Sequence, residues 1–212
     1  MSLSPKYLTI GALVAVCTFV AQATAQKNEL SGIIGRTFTS DQRIQGAPAY
    51  DPDLRFGNGL TFEVNYARQV RGMAKGLLSL SLEVPFVVNL DEKLHAAQNV
   101  IPKQYASYFV TPAVRLNLIP DQAISPWVSY GAGFGHFSES STLEFGGPNP
   151  RKTGTNTGVL QVGVGLDVKI FKNFSLRGEG RDFWSGLPRL NVNTGKSRQN
   201  NIFAGAGIVW HF

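Results

Sequence analysis

The sequence predicts an all-β protein, a transmembrane up-and-down antiparallel β-barrel of eight strands. Three observations carry this. Counting back from the end, Phe212, Trp210, Ile208, Ala206, Ala204 and Ile202 share one parity while Gly207 and Gly205 fall on the other, the period of a strand with one apolar face. Hydrophobic residues make up 43% of the chain and charged residues only 16%, yet after residue 25 no apolar run approaches the roughly 20 residues of a spanning helix. A barrel dilutes its hydropathy in this way, because lipid-facing and lumen-facing residues alternate along each strand. Finally, the connections between strand candidates alternate strictly between long and short. A soluble sandwich or a secreted eight-stranded lipocalin would satisfy composition alone, but a lipocalin buries the apolar parity and exposes the polar one.

Lys6, the apolar stretch Leu8 to Val20 and Ala23-Thr24-Ala25 read as a signal peptide with cleavage after Ala25. The stretch holds about 13 residues, too few for an anchor. Residues 1–25 are therefore expected to be removed, and 26–212 form one barrel domain. The single cysteine, Cys17, lies in the signal and follows Val16, so neither a lipid anchor nor a disulfide is expected.

In chain order, the first strand, about Leu30 to Phe38, is irregular and its lipid face stays open. The second sets Leu60, Phe62, Val64 and Tyr66 outward against Thr61, Glu63, Asn65 and Ala67. In the third, Leu78, Leu80, Leu82, Val84, Phe86 and Val88 oppose Ser79, Ser81, Glu83 and Pro85. The fourth places Tyr108, Val110, Pro112, Val114, Leu116 and Leu118 against Thr111, Ala113, Arg115 and Asn117, and Pro112 predicts a bulge because it cannot donate to a ladder. The fifth turns Val128, Tyr130, Ala132 and Phe134 outward over Ser129, Gly131, Gly133 and Gly135. The sixth repeats this with Leu160, Val162, Val164, Leu166 and Val168 over Gln161, Gly163, Gly165 and Asp167. In the seventh, Phe174 to Trp184, charges on both faces conflict. Arg177, Glu179 and Arg181 are placed inward because charge on the lipid face is the costlier choice, and Asp182 is expected near the outer headgroups. The eighth is the terminal strand.

The connections Arg71 to Lys75, Ile119 to Ser125 and Lys169 to Asn173 are short. Thr39 to Asn58, Asn89 to Ser107, Ser138 to Asn156 and Ser185 to Asn200 are long and polar. Tyr66, Phe174, Trp210 and Phe212 would form one aromatic girdle, and Phe86, Tyr108, Phe134 and Trp184 the other.

Pro126-Trp127-Val128-Ser129-Tyr130-Gly131-Ala132-Gly133-Phe134-Gly135, Leu176-Arg177-Gly178-Glu179-Gly180-Arg181 and Gly205-Ala206-Gly207-Ile208-Val209-Trp210-His211-Phe212 resemble the small eight-stranded OmpA/OmpX-like barrels of the bacterial outer membrane. The resemblance implies that location, with both mature termini in the periplasm, and no peptidoglycan-binding domain after Phe212. It also implies that Gly205, Gly207, Ile208, Trp210 and Phe212 act as a signal read by the barrel-assembly machinery, with periplasmic chaperones as further partners. Expected surroundings are outer-membrane lipid and lipopolysaccharide, whose phosphates would meet Arg151, Lys152, Arg189, Lys196 and Arg198. A monomer is expected.

Glu63, Glu83, Arg115, Asp167, Arg177, Glu179 and Arg181 share inward parity, four acids facing three bases. Eight strands enclose a space that side chains can fill, so the first expectation is an ionic plug. Its alternative is a gate that passes small solutes or ions, and a wide porin is excluded. No enzyme is expected. The alternative is a lipid A-modifying site at His136-Phe137-Ser138, with Glu139 and Glu144 close in sequence, but these lack the Asn that follows the Ser in the deacylases they resemble. No cofactor or metal is expected, since His95 and His211 lack partner spacing. The formal charge of +6 comes from dispersed cations, which argues against nucleic-acid binding.

Overall fold

A computed structural model describes residues 27–212; the expected signal peptide lies outside the described residues. Eleven strands follow one another: β1 (Asn28–Thr39), β2 (Gln42–Arg43), β3 (Asp53–Phe56), β4 (Asn58–Met73), β5 (Leu78–His95), β6 (Gln104–Val110), β7 (Ala113–Leu118), β8 (Ile124–Glu139), β9 (Thr155–Phe171), β10 (Phe174–Gly186) and β11 (Arg198–His211). Because β6 and β7 are one stave interrupted at Thr111–Pro112, the ring has eight staves, each antiparallel to its neighbours. It closes where β1 pairs with β11 from Glu29↔His211 to Thr39↔Asn201. Reciprocal bonds between Asn28 and Phe212, 3.0 Å and 2.9 Å, seal the seam.

The staves are longer than the apolar pattern suggests. β5 runs on to His95, and its ladder with β6 resumes at Glu92↔Tyr105, inside the expected long loop 89–107. The loop 39–58 holds β2 and β3, and β3 adds to the edge of β5 at Arg55↔His95. Arg71 to Met73, expected in a turn, belongs to β4. Backbone pairing explains these extensions, since a hairpin can continue beyond the bilayer wherever both strands stay extended.

Pro112 does not produce the expected bulge. Phe86↔Val110 and Glu83↔Ala113 keep one register, as do Val110↔Phe134 and Ala113↔Gly131 on the other side. The proline removes a donor without adding a residue to its strand. Bulges occur instead at Gln69/Arg71, Asn89/Glu92 and Phe174/Ser175.

β1 resolves its face by turning Leu30, Ile34 and Phe38 outward and burying Ser31, Ile33 and Thr37. Around the ring, Ile34, Val64, Leu82, Val114, Val128, Val164, Leu176 and Ile208, one from each stave, are 46% to 55% exposed. A sandwich or a lipocalin would bury this parity. An apolar belt exposed on every stave is what lipid covers.

Candidate functional site

The lumen is filled in two layers. Toward the short-turn end lies a charged cage on inward-facing positions of β1, β4, β5, β7, β9 and β10. Arg181 is its hub, with Glu83 and Glu179 each at 2.8 Å and Glu63 at 3.1 Å, all with wholly buried side chains. Arg177 grips Asp167 through two bonds of 2.6 Å and 2.7 Å. Arg115 pairs with Glu29 and lies 3.7 Å from Glu83. The guanidiniums of Arg115, Arg177 and Arg181 lie 5.6, 5.2 and 5.1 Å from the Trp127 ring centroid, so one indole serves all three cations. Gly165 makes room for it, since a Cβ there would come within 2.3 Å of the ring.

All seven sequence-predicted lumen charges are thus brought together: Glu63, Glu83, Arg115, Asp167, Arg177, Glu179 and Arg181. Two members were missed. Glu29, which also reaches Arg177 at 3.2 Å, raises the carboxyl count to five against three guanidiniums and corrects the expected ratio. Its parity was hidden by the irregular first strand, and Leu30 facing out is the signal that fixes it. Trp127 shares parity with Ser129 and Gly131, but an aromatic near a strand end reads first as girdle.

The second layer, toward the long loops, is built on an aromatic cluster, with Gln199 and Asn201 buried beside it. Phe109 stacks on Phe183 at 5.0 Å and meets Phe137 edge-on at 5.8 Å, and Tyr105 packs on Phe137 at 5.6 Å. Ile33, Val87, Val159 and Phe203 fill in around them, while Leu54, Leu94, Ile101 and Leu190 roof the layer. Sequence reading gave the lumen to charge and glycine and missed this plug, because an inward phenylalanine interrupts no alternation that an outward residue would not also interrupt.

Glu92 enters this upper layer through the Asn89/Glu92 bulge, which shifts the register by one residue and turns Glu92, not Asp91, inward. Its Oε2 accepts from Asn89 Nδ2 at 2.8 Å and Gly59 N–H at 3.1 Å. Oε1 has no partner. Burial pushes this carboxyl up to about 7, against the two hydrogen bonds that lower it.

At the short-turn end a cavity of about 600 Å³ opens beneath the cage, lined among others by Lys27, Glu29, Asp167, Lys169, Lys172, Ser175 and His211. The expected girdle residues all lie on the outer surface. Leu30 pairs with both Tyr66 and Trp210, and Trp210 pairs with Phe174, so these residues form one row. The Trp210 and Phe212 rings are 4.6 Å apart. Phe86, Phe134 and Trp184 are 44%, 53% and 42% exposed, and Tyr108 lies against His136. Of the expected assembly signal, Ile208 and Trp210 face out, while Gly205 and Gly207 pack against the backbone of β1.

No protein-family model and no curated protein matches the sequence. Among solved structures, the chain is similar to Neisserial surface protein A (NspA), with a TM-score of 0.58 and 12% identity over 87% of this chain and 97% of that one. It is also similar to the outer membrane protein OprG from Pseudomonas aeruginosa, with a TM-score of 0.53 and 11% identity over 89% and 96%. The fold is that of a small outer-membrane β-barrel.

Within this barrel the alternative site at His136 and Ser138 does not assemble. Both residues face outward, but His136 Nδ1 bonds Asn156 Oδ1 at 2.6 Å, and no hydrogen bond joins it to Ser138. Glu139 points into the lumen toward Thr155, and Glu144 holds His95 at 2.9 Å. Alternation separates Glu139 from its neighbour Ser138, and loop pairing takes Glu144 away.

Proposed function

We propose that the chain is an integral protein of the bacterial outer membrane whose lumen is closed and whose role is structural, adhesive or surface-interacting. The observation that carries this reading is the double filling of the lumen inside a belt of exposed apolar side chains. The belt calls for lipid, and the cage and the aromatic cluster both occupy the lumen. In this reading both termini face the periplasm, the short turns lie there too, and the long loops face outward. Arg151, Lys152, Arg189, Lys196 and Arg198 would then stand at the level of lipopolysaccharide phosphates. The protein would act as a monomer, delivered by periplasmic chaperones to the assembly machinery through its last stave.

Refolded protein should shift mobility on unboiled gels and give no steady conductance in planar bilayers. A second reading, a gated path for small ions, is favoured by the cavity that brings water to Glu29 and Asp167. Discrete, salt-dependent conductance steps would select it over the closed barrel.

A further inference from the structure

The cavity at the short-turn end contains a row of side chains that a closed barrel does not need. On adjacent staves, Lys169 of β9 lies directly opposite Ser175 of β10, and His211 of β11 directly opposite Glu29 of β1. Ser175 itself faces Val209, which puts His211 at the diagonal position two residues along, within reach of a long side chain. Ser175 Oγ is 2.9 Å from His211 Nε2, and His211 Nδ1 is 3.8 Å from Glu29 Oε1. All four residues line the one cavity of about 600 Å³.

We propose that Ser175, His211 and Glu29 form a hydrolytic site at this mouth of the barrel, acting on small carboxylic esters that carry an anionic group. A serine hydroxyl is a weak nucleophile until a neighbouring base takes its proton, and the base must present a free nitrogen. With Nδ1–H turned toward Glu29, Nε2 of His211 is that nitrogen. Glu29 is a positioning residue, since it touches the imidazole and not the reacting atoms. It is shared with Arg115 and Arg177, which fixes its place.

Ser175 Oγ adds to the ester carbonyl carbon as its proton passes to His211 Nε2. The ester C–O bond then breaks, and the departing alkoxide takes that proton. Water repeats the sequence on the acyl-serine, giving up one proton to His211, releasing the acid and restoring the serine hydroxyl. Lys169, opposite Ser175 in register and lining the same cavity, is the cation that would reach the oxyanion developing on the carbonyl oxygen. Of the charged residues lining the cavity, Lys27 and Lys172 are the partners an anionic group would meet, while Glu29 and Asp167 are already engaged by the arginines of the cage. The arrangement differs from His136 and Ser138 in having the hydrogen bond, the carboxylate and a cavity to receive a substrate.

The test uses the refolded barrel in detergent, with mobility on unboiled gels as the check on folding. A fluorophosphonate probe should label the parent protein and leave Ser175→Ala unlabelled, while Ser125→Ala, in the same cavity, labels like the parent. Hydrolysis of p-nitrophenyl hemisuccinate should exceed that of p-nitrophenyl acetate several-fold at low salt, and His211→Asn should lower it about 100-fold or more. Ser175→Cys supplies a readout independent of any substrate: its alkylation by iodoacetamide should stay fast below pH 7, and His211→Asn should remove that low-pH reactivity. An unlabelled parent, equal labelling of folded Ser175→Ala, or an ordinary thiol profile for Ser175→Cys would overturn the site. Equal rates on the two esters would overturn the anionic substrate class.

Discussion

Replacing Arg181 by Met removes the hub of the cage while keeping much of its volume. Three carboxylates lose their closest cation, all with wholly buried side chains: Glu83 and Glu179 at 2.8 Å and Glu63 at 3.1 Å. Glu83 keeps Asn65 Nδ2 at 3.0 Å and Arg115 at 3.7 Å, so the damage concentrates on Glu63 and Glu179. Removing one partner of a buried pair is typically destabilising by about 3 to 5 kcal/mol, and the stranding of two carboxylates places Arg181→Met at about 5 kcal/mol. Adding Glu63→Gln and Glu179→Gln removes the stranded charges and should return at least about 3 kcal/mol, a coupling that only contacting residues show. Urea unfolding from lipid vesicles, followed by tryptophan fluorescence, reads both quantities. A loss under about 1 kcal/mol for the single variant, or a triple variant no more stable than the single one, would refute the hub.

Four further outcomes follow from other parts of the molecule. Below pH 4.5 the Glu92 carboxyl is protonated whether folded or not, and between 4.5 and about 7 only the buried group keeps its proton. Its stabilising contribution is therefore complete below 4.5 and is lost as pH rises to about 7, an interval worth about 3 kcal/mol; Glu92→Gln should match the parent at pH 4 and exceed it at pH 8 by up to that amount in urea titrations. Gly165→Ala drives a Cβ to 2.3 Å from Trp127 and should destabilise by about 1 to 3 kcal/mol, whereas Gly178→Ala, with nothing within 4 Å of its Cβ, should not. Leu82→Arg, on the lipid face at 51% exposure, should lose about 2 to 4 kcal/mol near the midplane, checked by the same unfolding assay. Cysteines at Gly147 or Lys196 should react with an impermeant maleimide on intact cells, and one at Gly72 should not; equal labelling would refute the orientation.

The ring was legible because lipid imposes a strict demand on every second residue. Leu60 to Tyr66, Leu78 to Val88 and Leu160 to Val168 show it without a break, and so does the last stave. Where the demand lapses, reading fails in physical ways. Beyond the bilayer, Glu92 and Tyr105 continue a ladder with no apolar periodicity to announce it, and the intervening bulge reverses which carboxyl faces inward. Inside the lumen, parity assigns a side but not a depth, so it grouped seven charges correctly while leaving Phe109, Phe137 and Phe183 unread as a layer. Contacts between staves distant in sequence, such as Glu29 with Arg115 or Arg177, depend on ring closure, which no local pattern encodes.

In the proposed closed barrel, two layers of different chemistry would resist opening better than either alone. The charged cage is held by paired hydrogen bonds, such as those between Arg177 and Asp167, and water entering from the short-turn cavity can replace them one at a time. The aromatic layer responds differently, because Phe109, Phe137, Phe183 and Phe203 offer entering water no hydrogen bond and hydrating their apolar surfaces is unfavourable. A substitution that loosens the cage therefore wets the lower lumen but stops at the rings. One that opens the rings from the loop side stops at guanidiniums already held by carboxylates. In the proposed closed barrel, conduction would require both to yield together, so the proposal rests on the pair of layers and not on the ionic network alone.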